Sequence, residues 1–232
     1  MSKAALPFRV LVITNEPACA RAGRGVVETM ARALLPSAPG AAVLVRGGSA
    51  ASRAELRALC AALLPIVRRA HALLLVHTFT DLVRELGLDG AHVSARLNFA
   101  EVTAARAALP AGALLGASRH DGDAIDSQAL APLDYVTLSP VFSPSSKHDD
   151  RAPLGVAALA RLSAKPIVAL GGIDSRRAPA CLRAGASAVA VIGAIMHAHE
   201  PRRALLALSG VGAVYSRKIE GSSLSPRRLS SS

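Results

Sequence analysis

A chain of 232 residues, 51% of them hydrophobic, is long enough for one sizeable core. No apolar run reaches the roughly 18 residues that a membrane-crossing helix needs, because charges or prolines interrupt each one. A formal charge of +11 suggests anionic partners, but the arginines are spread through Ala/Leu/Arg segments, Trp is absent and aromatics make up 3%, which disfavours a nucleic-acid surface.

The N-terminal stretch Met1–Ala20 has a single lysine and a short apolar run from Val10 to Ile13, a poor imitation of a signal peptide. Cys19, Cys60 and Cys181 are odd in number, far apart and without C-x-x-C spacing, so neither a disulfide framework nor a zinc site is expected. These features together predict a cytoplasmic protein without membrane or nucleic-acid partners.

In chain order, short apolar runs alternate with amphipathic ones. Strands are predicted at Phe8–Thr14, Ala42–Val45, Ala72–Val76, Gly90–Val93, Leu114–Ser118, Tyr135–Leu138, Pro166–Leu170 and Ala188–Ile192. Each is apolar on both faces, as parallel strands covered on both sides must be. Helices are predicted near 24–35, 53–69, 80–87, 99–109, 122–131, 154–163, 175–184 and 195–208, with Ser52, Asn98 and Asp174 as caps or near-caps. Eight such units predict an α/β protein, a single (β/α)8 TIM barrel over 1–212. An open doubly wound sheet is disfavoured, because its glycine-rich phosphate turn belongs after the first strand, where Asn15-Glu16-Pro17 stands. Residues 213–232 are serine-rich and carry Arg217, Lys218, Arg227 and Arg228 against Glu220, which predicts a disordered tail.

Two glycine turns close the last two strands: Gly171-Gly172 after Leu170, and Gly193 after Ile192. At the C-terminal rim of a barrel, absent side chains let backbone N–H groups approach a phosphate, so both turns are candidate phosphate sites. Tight strand-to-helix packing is the alternative explanation.

Three stretches then stand in a telling order: Gly116-Ala117-Ser118-Arg119-His120, Asp134-Tyr135-Val136-Thr137-Leu138-Ser139-Pro140-Val141-Phe142 running on to Lys147, and Gly171-Gly172-Ile173. In order and spacing they resemble the thiamine phosphate synthase/TenI family. The resemblance implies a transferase of thiamine biosynthesis that joins hydroxymethylpyrimidine diphosphate to thiazole phosphate and releases pyrophosphate. It implies that Arg46, Ser118 and Lys147 hold the diphosphate, that Ser146 helps line the substrate site, and that Gly171, Gly172, Ile192 and Gly193 bind the thiazole phosphate. Small phosphorylated thiazole and pyrimidine substrates are the partners it predicts.

The resemblance also implies magnesium, and here the chain departs from the pattern. Where such synthases carry Asn-Asp after the third strand, this chain has His77-Thr78; where they carry H-x-G-Q-x-D after the fourth, it has His92-Val93-Ser94-Ala95-Arg96-Leu97. Both expected aspartates are gone, so no metal ligand is assigned; Asp121, Asp123 and Glu101 have no spacing that argues for substitution. TenI-like members also lack these acids and include thiazole tautomerases, which need a general acid/base but no metal. The histidine expected before Val141-Phe142 is Pro140 here, so His77 and His92 are the candidate proton carriers, beside Ser118 and Lys147 as catalytic candidates. A barrel that binds a phosphorylated ligand without turnover is the third alternative.

Overall fold

The computed structural model describes residues 5–48, 51–120, 130–143, 152–161 and 165–210. Eight parallel strands close on themselves in sequential order: β1 Val10–Ile13, β2 Ala41–Val45, β3 Leu73–His77, β4 Gly90–Val93, β5 Leu114–Arg119, β6 Tyr135–Leu138, β7 Ile167–Ala169 and β8 Ala188–Val191. The ring is completed by β8 on β1, with Val12 opposite Val191. Closure excludes the open doubly wound sheet and leaves no exposed strand edge.

Alternation along each strand builds two apolar shells. Leu11 and Ile13 of β1, Leu44 of β2, Leu75 of β3, Tyr135 of β6 and Ala188 of β8 fill the barrel interior with Phe8 beneath them. Their neighbours Val10, Val12, Val43, Val45, Leu74 and Val76 face outward beneath the helices. This two-sided burial is why the strands read as continuous apolar runs rather than as alternating ones.

The helical layer follows local chemistry. Ser52 caps the helix Arg53–Arg69 and Asn98 caps Phe99–Ala108, each in a reciprocal capping box with the glutamate three residues on. Asp174 accepts the N–H groups of Arg176 and Arg177 just ahead of the helix Ala178–Arg183. Two elements differ from expectation. Asn15-Glu16-Pro17 is the start of a short helix, Glu16–Arg21, with Asn15 accepting from the Ala18 N–H and proline in the first turn, where its missing donor costs nothing. The helix expected over 195–208 is broken into Gly193–Met196 and 201–210, because Pro201 cannot continue a helix but can begin one. The helix expected at 122–131 lies almost wholly outside the described residues, as does the tail from 213.

Arginines tie the outer layer together. Arg53 pairs with Asp81 and Glu85, Arg57 with Glu85, and Arg68 with Asp89, each joining one helical unit to the next. Arg202 donates to the carbonyls of Ala33, Leu34 and Ser37, securing the 201–210 helix to the end of Val26–Leu34. Such exposed pairs are each of small individual worth. Cys19, Cys60 and Cys181 are buried thiols, and burial pushes Cys60 up to about 12. No helix among the described residues is long and apolar enough to cross a membrane.

Candidate active site at the barrel rim

The barrel interior changes character near its C-terminal end. Above the apolar layers, β3 to β6 present His77, His92, Ser118 and Thr137. His77 lies opposite His92 in register, and Ser118 lies opposite Thr137.

His92 is 2% exposed, and both of its ring nitrogens are engaged: Nδ1 lies 3.1 Å from the Tyr135 hydroxyl and Nε2 lies 3.0 Å from Ser118 Oγ. A neutral imidazole has one donor and one acceptor, so one hydroxyl donates to the ring and the other accepts from it. Burial, reinforced by His77, Arg46 and Arg119, pulls the His92 pKa down to about 3. Burial first, then Arg46, pulls His77 down to about 4. Both are therefore neutral at pH 7, with ring centroids 6.1 Å apart in a stacked arrangement. Tyr135 is fully buried, which with the Asp134 carboxylate drives its phenol well above the usual range, so it stays protonated.

Tyr135 stands in the Asp-Tyr motif, and its role shows only in the folded chain. Its place explains three residues. The ring of Tyr135 crosses the face of Gly116, where an added Cβ would lie 2.2 Å from Cζ; Phe8 meets it edge-on at 5.5 Å; and Asp134, just before it, accepts the Leu115 N–H and pairs with Arg106. The G-x-S and Asp-Tyr motifs are thus two halves of one packed unit.

Arg46, at the end of β2, is held by its backbone: the Thr14 hydroxyl donates to the Arg46 carbonyl at 3.0 Å and accepts from the Arg46 N–H at 2.9 Å. Its exposed guanidinium has no carboxylate partner among the described residues. Thr78 follows His77 with φ +71°, an uncommon conformation for a β-branched residue, and is fixed by its N–H donating to the His92 carbonyl and by its hydroxyl 2.7 Å from His77 Nδ1. His120 lies 3.2 Å from Ser139 Oγ and joins the ends of β5 and β6.

On the far side of the rim, the glycine turns after β7 and β8 are neighbours, with Ala169 opposite Val189. Gly171 has φ +103° and Gly172 φ +59°, and an added Cβ would fall 2.7 Å from Pro140 Cα and 2.6 Å from the Ser143 carbonyl, respectively. The turn after β6 is laced onto them: Val141 donates to Leu170 and Phe142 to Gly171, while Arg177 donates to the Gly172 carbonyl and lies over the Phe142 ring. Close backbone approach therefore requires both glycines whatever they bind. Gly193 differs, because a Cβ there would meet only the exposed His197 ring, at 3.2 Å. Ile192, half-buried, contacts both apolar shells beside it.

The structure thus brings Arg46, His77, His92 and Ser118 together on β2 to β5, with Gly171, Gly172, Ile192 and Gly193 across the rim. Ser146 and Lys147 lie outside the described residues. Magnesium favours several oxygen ligands, carboxylates above all, and the described residues do not provide them. Both nitrogens of His92 and one of His77 are already engaged, and Leu97 packs against the core where the resemblance expects an aspartate. Glu101 is taken up by the Asn98 N–H, Asp121 and Asp123 lie outside the described residues, and no cluster of three ligating side chains occurs among the described ones.

Comparisons with known proteins agree with this architecture. The family model described as thiamine monophosphate synthase matches residues 10–195. A thiamine-phosphate synthase of Methanoculleus marisnigri is 35% identical over 193 residues, 82% of this chain and 88% of that protein. One from a Synechococcus strain is 37% identical over 153 residues, 65% of this chain but 41% of that longer protein. Among solved structures, thiamine phosphate pyrophosphorylase from Pyrococcus furiosus covers 90% of this chain and 97% of its own, with a TM-score of 0.73 at 22% identity, a likeness of fold.

Proposed function

Because the chain belongs to the thiamine monophosphate synthase family, we propose that it joins hydroxymethylpyrimidine diphosphate to thiazole phosphate, forming thiamine phosphate and pyrophosphate. The single observation that carries this is the two-sided rim, with polar and cationic groups on β2 to β5 facing the glycine turns of β7 and β8.

In the reaction, the bond between the pyrimidine methylene and the diphosphate oxygen breaks with its electron pair leaving on the diphosphate. The thiazole ring nitrogen forms the new bond to that methylene, and no electrons are lost overall. The protein's tasks are to hold the two reactants in line and to stabilise charge on the leaving oxygens. Arg46 and Ser118 face the leaving group, with Lys147 assigned to it and Ser146 to the lining of the substrate site by the family pattern. Ser118 is oriented by His92, and His92 by Tyr135. The amides around Gly171, Gly172, Ile192 and Gly193 receive the thiazole phosphate, as the rim after the last two strands of a barrel commonly does. Incubating purified protein with both substrates and magnesium should yield thiamine phosphate. No product above background at high enzyme concentration overturns the assignment.

One observation favours a second activity. His77 is a neutral imidazole at the rim with one ring nitrogen engaged, the form a general base needs, whereas His92 has both nitrogens committed to Tyr135 and Ser118; Pro140 occupies the position at which tautomerases of the family carry a histidine. A thiazole tautomerase predicts faster interconversion of thiazole phosphate isomers, lost in His77→Asn. An unchanged rate in that variant removes His77 from the reaction.

A further inference from the structure

The synthase assignment leaves one disagreement, and the inference rests on that assignment. A departing diphosphate concentrates negative charge, which the family pattern meets with a divalent ion on carboxylates. Here the relevant quadrant has the opposite composition. Four consecutive strands, β2 to β5, bring Arg46, His77, His92 and Ser118-Arg119 to the rim. Arg46 and Arg119 both lie near enough to His92 to disfavour its protonated form, so the surroundings of this quadrant are cationic.

The arrangement disfavours a cation in three ways. Arg46 would repel it. The nitrogens of His92 are committed to Tyr135 and Ser118, so ligation would break the network that orients Ser118. Thr78 stands where the pattern has aspartate, and its hydroxyl is turned to His77 Nδ1. The same features suit an anion. Arg53, Arg57, Arg68 and Arg106 are all occupied by carboxylates, whereas Arg46 is fixed by Thr14 through its backbone and has its fork of donors unpaired by any described acid. A guanidinium presents paired N–H groups that match phosphate oxygens.

We propose that this chain holds the diphosphate group directly on its own donors at the ends of β2 to β5, Arg46 foremost, without a divalent ion, so that pyrophosphate binds the metal-free protein. The bond that breaks in the reaction is the same. The difference is that charge on the leaving oxygens is met by guanidinium and hydroxyl groups of the chain itself.

The experiment is calorimetric titration of the full-length protein with sodium pyrophosphate, once in EDTA and once in excess magnesium, with inorganic phosphate as the comparison. Saturable binding in EDTA is expected, undiminished by the chelator and tighter than for phosphate. Arg46→Ala should weaken it at least tenfold while leaving the thermal unfolding midpoint unchanged, since Arg46 is exposed. Pyrophosphate should also perturb the His77 ring resonances in EDTA. Binding that requires magnesium, or no binding in either buffer, overturns the proposal. So does an Arg46→Ala affinity equal to that of the parent. Product formation is measured separately: synthesis of thiamine phosphate with magnesium-dependent pyrophosphate binding leaves the synthase standing and removes this inference. Metal-free binding without synthesis does the reverse.

Discussion

A Cβ on Gly116 would lie 2.2 Å from Cζ of Tyr135 and 2.6 Å from both of its Cε atoms. The two residues face each other in register on β5 and β6, so the ring lies flat across the glycine. Neither can give way: Tyr135 is wedged against Phe8 on one side and its hydroxyl is bound to His92 on the other. Gly116→Ala should therefore cost at least the upper end of the roughly 1–3 kcal/mol typical of overpacking. Urea unfolding reads the loss directly, and a variant as stable as the parent would mean that Tyr135 has room the geometry denies it.

That pairing also shows what was legible beforehand. Strand positions and the caps at Ser52 and Asn98 depend on residues within a few positions of each other, and they read correctly from the sequence. The break at Pro201 and the helix begun by Asn15 are equally local, set by a proline that can open a helix but not continue one and by an asparagine that accepts the first-turn N–H. The reason for Gly116 is of another kind. Its partner lies on the next strand, and His92 meets the Tyr135 hydroxyl across 43 positions of sequence. Gly171 and Gly172 read as phosphate turns, yet much of their conformation answers to the backbone of Pro140 and Ser143. Nothing in a one-dimensional pattern separates a glycine that admits a ligand from one that admits another loop.

The two rim histidines should make stability depend on pH. Unfolded, both titrate near 6.5; folded, His77 titrates at about 4 and His92 at about 3. Below pH 6.5 the unfolded chain therefore binds protons that the folded chain does not, so stability falls with pH until the folded values are passed. Each ring contributes a limiting slope of about 1.4 kcal/mol per pH unit. Denaturation midpoints measured from pH 7 down to pH 4.5 should fall less steeply in His77→Asn, with a residual slope from His92. Equal slopes in parent and variant would show that His77 is not held neutral.

Thr137 has a buried Oγ1 without a hydrogen-bond partner among the described residues and is 1% exposed, opposite Ser118 in register. A buried hydroxyl left unpaired costs about 1–3 kcal/mol of desolvation. Thr137→Val keeps the branched shape and removes that group, so folding stability should hold or rise by about 1 kcal/mol. Chemical denaturation checks it. A marked loss would reveal a hydrogen bond to this hydroxyl in solution.

Gly171 and Gly193 separate folding from phosphate binding. At Gly171, φ is +103° and an added Cβ would lie 2.7 Å from Pro140 Cα, a backbone atom that cannot swing aside. Gly171→Ala should lose several kcal/mol through left-handed strain and overpacking together, on the order of 2–4 kcal/mol. At Gly193 an added Cβ meets only the exposed His197 ring, 3.2 Å away, which can rotate, so Gly193→Val should fold within about 1 kcal/mol of the parent. Its branched side chain would nonetheless stand in the turn whose amides the thiazole phosphate is proposed to reach. A ligand present at a hundred times its Kd stabilises the folded state by about 2.7 kcal/mol. Thiazole phosphate should raise the unfolding temperature of the parent accordingly and leave Gly193→Val unmoved. A full shift in Gly193→Val would place the phosphate elsewhere on the rim.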